Sequence, residues 1–364
     1  MSRPRIAFYA PMKAPTHPTP SGDRAMAQSL MALLAEDADV VLASELRLHE
    51  PLGDRDQQAL LQQRASREVG RLLEELPEID LWVSYHNYYK APDLIGPEVA
   101  AARDIPYVQI ESTRASKRLI GPWSEFAQAA HAAADQAAVI FYLTDQDRET
   151  LERDRTEGQE LVHLRPYLPR ADLPEPSALQ GPMLAVGMMR QGDKLASYAL
   201  IAETLRHLDA EAERAVDWHL DIAGDGPARA EVEALVAPYK ERVTFLGQLD
   251  TEGLAAAYQR ASLFLWPGVN EAYGMVYLEA QAHGLPVVAQ DRPGLRDVLL
   301  PGDYPPPEAG AKALAAAVAR LRDSADEREA LGRRVRDHIA TRHLRPAARA
   351  TLWATLTPLL ERSA

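Results

Sequence analysis

The chain predicts an α/β fold made of two Rossmann-like domains, and three observations carry that expectation. Its 364 residues are more than one ordinary α/β core needs. Short β-rich runs alternate with amphipathic helical stretches in both halves, the mark of parallel sheets with crossover helices. Midway, at 166–182, the stretch PYLPRADLPEPSALQGP is proline-rich, lacks periodicity and reads as a linker.

In the first half, strands are expected at 5–10, 40–43, 81–85, 106–111, 139–143 and 161–164. Helical patterns lie between them, for example at 23–35 and 55–76. After the linker the alternation restarts, with strands expected at 183–188, 218–223, 243–246, 263–266 and 286–289. The tail from 311 to 362 is nearly all helical in pattern. The expected division is therefore 1–170, 171–340 and a terminal helix at 341–364, with the two domains facing an interdomain cleft. Strand order cannot be read from the sequence. Ligands of such sheets bind outside the carboxyl ends of the strands, so functional residues are sought there.

Composition narrows the class. With 46% hydrophobic and 26% charged residues the chain is ordinary globular material. The absence of cysteine excludes disulfides, thiolate metal sites and cysteine nucleophiles. No leading segment has signal-peptide form, and no run approaches the ~20 apolar residues of a membrane helix. A soluble, cytoplasmic protein is expected, with peripheral contact at the inner face of the membrane left open. The net charge of −13 argues against nucleic acid as a partner.

The informative stretch is LFLWPGVNEAYGMVYLEAQAHGLPVVAQDRPGLRDVL, 263–299. A strand ends in a Pro-Gly-Val-Asn loop; Glu271 and Gly274 follow, and an apolar-periodic helix starts near Met275. Gly284 fits the position just past the helix, and Pro286 opens the next strand. Gly274 removes a side chain where a ligand would approach the helix start. The first-turn amides there lack partners and sit at the positive end of the helix dipole, a natural diphosphate site. Glu279, inside the helix, suits the vicinal diol of a ribose, and Glu271 suits a sugar hydroxyl. An isolated glutamate pair at this spacing would read as two solvent-exposed helix residues. The glycine, the cap and the segments described next move it to function.

The stretch resembles the signature of retaining glycosyltransferases of family 4 and their relatives. These carry a glutamate, seven intervening residues and a second glutamate, then an Ala-x-Ala-x-Gly-x-Pro-Val-Val run, here Glu271, Glu279, Ala280, Ala282, Gly284, Pro286, Val287 and Val288. MLAVGMMRQGDK, HLDIAGDGPARAEVEAL and RVTFLGQL resemble the family's other donor-domain segments, in the family's order. The resemblance implies the GT-B fold, with an acceptor domain at 1–170 and a donor domain at 171–340, and a terminal helix that packs back on the first. It implies hexosyl transfer from a UDP- or GDP-linked sugar to a saccharide, lipid-linked or small-molecule acceptor, with retention, no cofactor and no metal. Glu271 would contact the transferred sugar and Glu279 the ribose. Lys194 matches the family lysine. The family arginine position holds Met188, so Arg190 is the candidate substitute. Tyr273, Gly274 and Met275 would meet the diphosphate, and Gly224 and Gly247 the nucleotide through backbone; the Gly-Asp-Gly-Pro string at 224–227 also reads as a plain turn before a helix.

In the first half, the helix start at Ser21-Gly22-Asp23-Arg24 reads either as a cap by Ser21 or Asp23, or as a loop over the donor phosphates with Gly22 at the close approach. Family members have a histidine past the fourth strand; here PYVQIESTR puts Glu111 or Ser112 there. Either Glu111 has a new role, pairing with an amine on sugar or acceptor, or His86 in SYHNYYKAPD supplies the imidazole. The cluster Arg114, Lys117 and Arg118 reads as a solvated loop or as a site for an anionic acceptor or lipid head group. Two Asp-x-Asp strings, Asp54/Asp56 and Asp145/Asp147, read as helix caps. Rival readings are a nucleotide-sugar epimerase of the same architecture, a non-catalytic nucleotide-sugar binding protein, and a nicotinamide oxidoreductase; the last lacks Gly-x-Gly-x-x-Gly after its first strand.

Overall fold

The computed structural model describes residues 3–19, 21–210 and 218–363. It forms two compact units: one holds the chain up to Arg165 and again from Ala348, the other holds Pro166–Ala347.

The first unit runs β1 (Arg5–Tyr9), α1 (Gly22–Leu34), β2 (Asp39–Ser44), α2 (Arg55–Glu75), β3 (Leu81–Asn87), α3 (Gly96–Arg103), β4 (Tyr107–Ser112), α4 (Ser124–Gln136), β5 (Val139–Tyr142), α5 (Asp145–Arg153) and β6 (Glu160–His163). Its sheet is wholly parallel, in the order β2-β1-β3-β4-β5-β6. Ile6–Tyr9 and Leu81–Tyr85 are buried without alternation, as expected of parallel strands covered on both faces.

The second unit runs β7 (Met183–Val186), α6 (Asp193–Ala210), β8 (Leu220–Ala223), α7 (Arg229–Val236), β9 (Val243–Gly247), α8 (Thr251–Arg260), β10 (Leu263–Leu265), α9 (Met275–Ala282), β11 (Val287–Val288), α10 (Gly310–Asp323) and α11 (Ala325–Arg342). Its parallel sheet has the order β11-β10-β7-β8-β9. The linker stretch has no helix or strand of its own but is tied down: Leu168 bridges Leu344, and the Leu168 amide donates to the His343 carbonyl at 2.8 Å. That pairing ends α11, so the last helix, α12 (Arg345–Ser363), begins four residues later than the expected 341. From Ala348 it belongs to the first unit, where Arg349 pairs with Asp37 at 2.5 Å.

Strand order reverses once in each sheet. The chain leaves β1 for β2 on one side and returns to β3 on the other; likewise β7 leads to β8 and β9, then to β10 across from them. At such a switch point the two flanking loops diverge and open a crevice at the strands' carboxyl ends. The loops concerned are those after β1 and β3 in the first unit, and after β7 and β10 in the second.

Candidate functional site

In the second unit the switch point gathers the predicted residues. β10 ends at Leu265, and Trp266 turns its buried ring under the loop that follows. That loop is stitched to the first turn of α6: the Val269 amide donates to Ser197 Oγ at 3.1 Å and Asn270 Nδ2 to Asp193 Oδ1 at 2.8 Å. The stitching brings Lys194 onto Glu271. One carboxylate oxygen, Oε1, accepts both from Lys194 Nζ and from Trp266 Nε1, the latter at 3.0 Å. The Lys194 ammonium also stands 5.3 Å from the Trp266 ring, within cation–π range. Both partners keep part of their surface exposed, 29% for Lys194 and 13% for Glu271.

Gly274 is the N-cap of α9, at φ +72, a conformation that disfavours any side chain. A Cβ there would lie 2.8 Å from the Tyr277 ring. No side chain caps the helix and its first turn holds no acidic residue, so the amides of Met275 and Val276 have no acceptor among the described residues; the Glu271 carboxyl carbon lies 4.0 Å from where a Cβ at Gly274 would be. Tyr273 and Met275 are half-buried against the core. Four residues into the helix, the Glu279 carboxylate accepts a hydrogen bond from Tyr258 Oη at 2.9 Å. Burial raises its pKa above the ordinary glutamate value, against the opposing effect of that hydrogen bond.

The loop after β7 carries Arg190, which is exposed and whose guanidinium has no partner among the described residues. The next loop packs beneath it: at Gly224, φ +137, a Cβ would lie 2.0 Å from the Gly187 carbonyl oxygen. The Gly224 amide donates to the Gly247 carbonyl at 2.8 Å, which gives both glycines a packing role between loops.

In the first unit the switch point gathers residues far apart in sequence. His86 and Glu111 sit side by side, between the register pairs Tyr85–Ile110 and Asn87–Ser112 of β3 and β4. Both have left-handed backbone, φ +64 and +58, which costs about 1–3 kcal/mol each for residues other than glycine. A buried network holds these strand ends: Asn87 Nδ2 donates to Gln109, Ser112 and the Ala130 carbonyl, while Asn87 Oδ1 accepts from the Asp93 amide. His86 Nδ1 lies 3.0 Å from Asp23 Oδ1. Burial disfavours the His86 imidazolium, but the charges of Glu111, Asp23 and Asp147 and the Asp23 hydrogen bond outweigh it, and the pKa is raised. Asp147, on α5, is pushed up to about 6 by burial, then by Glu111.

Several expectations change. Ser21 is the cap of α1, its Oγ accepting from the Arg24 amide at 3.3 Å; Asp23 is not a cap. At Gly22 a Cβ would meet open space, so the fold itself does not require glycine. Arg114 is buried and paired with Asp135 at 2.5 Å, so it leaves the expected exposed cluster; Lys117 and Arg118 remain exposed. Arg118 stacks over Tyr89 and Trp123. Asp54 caps α2, and the Asp147 amide is capped by Thr144. Trp266, Asn270 and Tyr258 were missed, and Asp23 was read only as a helix cap. Only Trp266 left a sequence signal, as the residue at a strand's carboxyl end.

Residues 182–324 match the family described as glycosyl transferases group 1. Alpha-D-kanosaminyltransferase of Streptomyces kanamyceticus is 27% identical over 73% of this chain and 72% of its own length. A phosphatidyl-myo-inositol mannosyltransferase of Mycobacterium leprae is 42% identical, but over only 24% of this chain and 23% of its own. Among solved structures, sucrose-phosphate synthase from Thermosynechococcus elongatus covers all of both chains at a TM-score of 0.72 and 20% identity. HepE of Anabaena, solved with UDP-glucose, gives 0.67 at 15% identity over 97% of this chain and 99% of its own. This chain is a GT-B glycosyltransferase. Among the described residues of this glycosyltransferase, no helix is long and apolar enough to cross a membrane.

Proposed function

We propose that this glycosyltransferase moves a hexosyl group from a nucleoside diphosphate sugar to an acceptor hydroxyl, with retention of configuration and without a metal ion. The observation that carries the reading is the Lys194–Glu271–Trp266 contact beside the uncapped start of α9. A sugar diphosphate has its first anionic oxygens three bonds from its anomeric carbon, across the bridging oxygen and phosphorus. A cation and a carboxylate in mutual contact, next to free helix amides, suit that junction. The amides and Lys194 would take the charge that grows on the departing diphosphate, with Arg190 as a second cation. Glu271 would accept from a sugar hydroxyl, and Glu279 from the ribose diol. Lys194 and the α9 amides supply a counter-charge of the kind a metal would otherwise bring; Asp54, Asp56 and Asp145 serve helix starts, and Asp147 faces His86.

His86 and Glu111 in the first unit would meet the transferred sugar or the acceptor. The HepE structure with UDP-glucose supports the donor class. The deciding experiment is a thermal-shift series with UDP, GDP and their sugars, since ligands that bind only the folded state raise its melting temperature. If none shifts it, the donor reading fails. With the right donor, the anomeric configuration of the product, read by NMR, tests retention, and full turnover in excess chelator tests metal independence.

A further inference from the structure

The proposed function uses His86 and Glu111, yet two further carboxylates face the same imidazole. Glu111 comes from β4, Asp147 from α5 and Asp23 from the first turn of α1. Of these only Asp23 touches the ring. A helix-start aspartate normally spends its carboxylate on the helix's own amides. Here Ser21 does that, which leaves Asp23 to cross 63 positions of sequence and meet His86 Nδ1 at 3.0 Å. The ring is flanked by Tyr85 and Tyr88, with centroids at 5.7 and 4.8 Å. The Asp23 bond is the ring's only hydrogen bond among the described residues, so Nε2 carries none from any of them.

The chemistry of this arrangement is specific. An ionised carboxylate only accepts, so the proton of a neutral imidazole is held on Nδ1 and the lone pair is presented at Nε2. The His86 hydrogen bond, ahead of the opposing effect of burial, lowers the Asp23 pKa and keeps that carboxylate ionised. Other groups bear on the pair. Lys13, after β1, and the imidazole itself act on Asp23. Tyr88, after β3, feels Asp23 and Arg47, and His49, after β2, feels Asp23, Arg47 and Lys90.

We propose that Asp23 is the positioning residue of the first unit: it fixes the tautomer and orientation of His86, so that Nε2 accepts a hydrogen bond from a hydroxyl of the substrate. The proposal rests on the reading that His86 meets substrate. Partners that orient a metal-bound imidazole matter about ten- to a hundredfold, and the same scale is expected of Asp23 here. Below its own pKa His86 carries a proton on Nε2 and no longer accepts, so activity falls on the acid side. Asp23 contributes to holding that pKa up; without its charge the acid limb moves to lower pH.

The test follows kcat and KM against pH for the wild type, Asp23→Asn, Asp23→Glu and His86→Gln. Nucleoside diphosphate affinity and melting temperature serve as controls, and ¹⁵N NMR reports the tautomer of His86. Asp23→Asn should lower kcat by about ten- to a hundredfold with donor affinity unchanged. It should move the acid limb to lower pH and let the Nε2–H tautomer appear. Asp23→Glu should restore the limb and part of kcat. An unmoved limb and an unchanged tautomer in Asp23→Asn overturn the proposal while His86 keeps its role. Full activity in His86→Gln overturns the reading of His86 and the proposal with it. Should Asp23→Asn lose its folded melting transition, Asp23→Ser, with the short hydroxyl of a good helix-start residue, takes its place under the same criteria.

Discussion

The two switch points of this glycosyltransferase are built on opposite electrostatic plans. In the second unit the charges near the ligand positions are matched. Lys194 lies on Glu271, the first turn of α9 holds no acidic residue, and Glu279 is held by a tyrosine hydroxyl. In the first unit they are unmatched: Asp23, Glu111 and Asp147 converge on one imidazole. The matched site suits a ligand with both a dianionic and a polyhydroxyl part. The unmatched one raises the pKa of a histidine and of a carboxylate together, and perturbed groups of this kind cluster at functional sites.

The contrast is broken most severely at Lys194. Lys194→Ala removes the cation proposed to face the leaving diphosphate and leaves Glu271 with Trp266 alone. Single-turnover rates should fall by about 10²–10³. A rate near wild type would move that task to Arg190 and undo the matched-charge description.

Next in size is Glu279→Ala. Loss of a charge-assisted bond to ribose should cost about 1.5–3 kcal/mol, a Kd for the nucleoside diphosphate roughly ten- to 150-fold weaker. The contrasting variant is Glu271→Gln, which should lower turnover and leave that Kd within a few-fold. Equal losses of affinity in the two variants, measured by calorimetry, would show that both glutamates serve the nucleotide.

A pH effect follows from the Glu279 burial. Its pKa is raised, so as pH falls the carboxylate is neutralised earlier than an exposed glutamate would be. Nucleotide affinity should therefore weaken on the acid side at a higher pH than ordinary glutamate titration predicts, and Glu279→Gln should flatten that limb. An acid limb that persists in Glu279→Gln would assign it to another group.

The same contrast explains what the sequence disclosed. Glu271, Gly274 and Glu279 belong to one loop and one helix, so their spacing is fixed by local geometry and legible as a string. The strands were legible for the related reason that runs buried on both faces are short, apolar and separated by helical periods. Asp23, His86, Glu111 and Asp147 belong to four elements, and only the strand order β1-β3-β4-β5 makes them neighbours. No spacing rule encodes such a meeting. Asp23 even carried a misleading local signal, because aspartate at a helix start reads as a cap. Arg114 misled in the same way: in a basic string it reads as solvated, yet it is buried on Asp135.

The smallest expected effect tests whether the first unit is one electrostatic group at all. Burial is the main reason that Asp147 titrates at about 6, and the Glu111 charge adds to it. Glu111→Gln removes that negative charge, which favours the ionised form of Asp147 and lowers its pKa. His86 should move in the same direction, because a lost anion no longer favours the imidazolium. For Asp147, where Glu111 is a secondary contributor, a drop of up to about one unit, worth roughly 1.4 kcal/mol, is the scale to expect. The consequence for folding has a definite sign. A carboxyl whose folded pKa lies above its unfolded value contributes stability that is fully present below the unfolded value. That stability is lost as pH rises through the folded one, here between about 4 and about 6. In Glu111→Gln that window should shrink from its upper end. Side-chain carboxyl ¹³C titration reads the Asp147 midpoint directly, and ring-proton titration reads His86. Midpoints unmoved in both would mean that Glu111 stands apart from the other two carboxylates, and the first unit would be a paired Asp23–His86 site no less matched than the second.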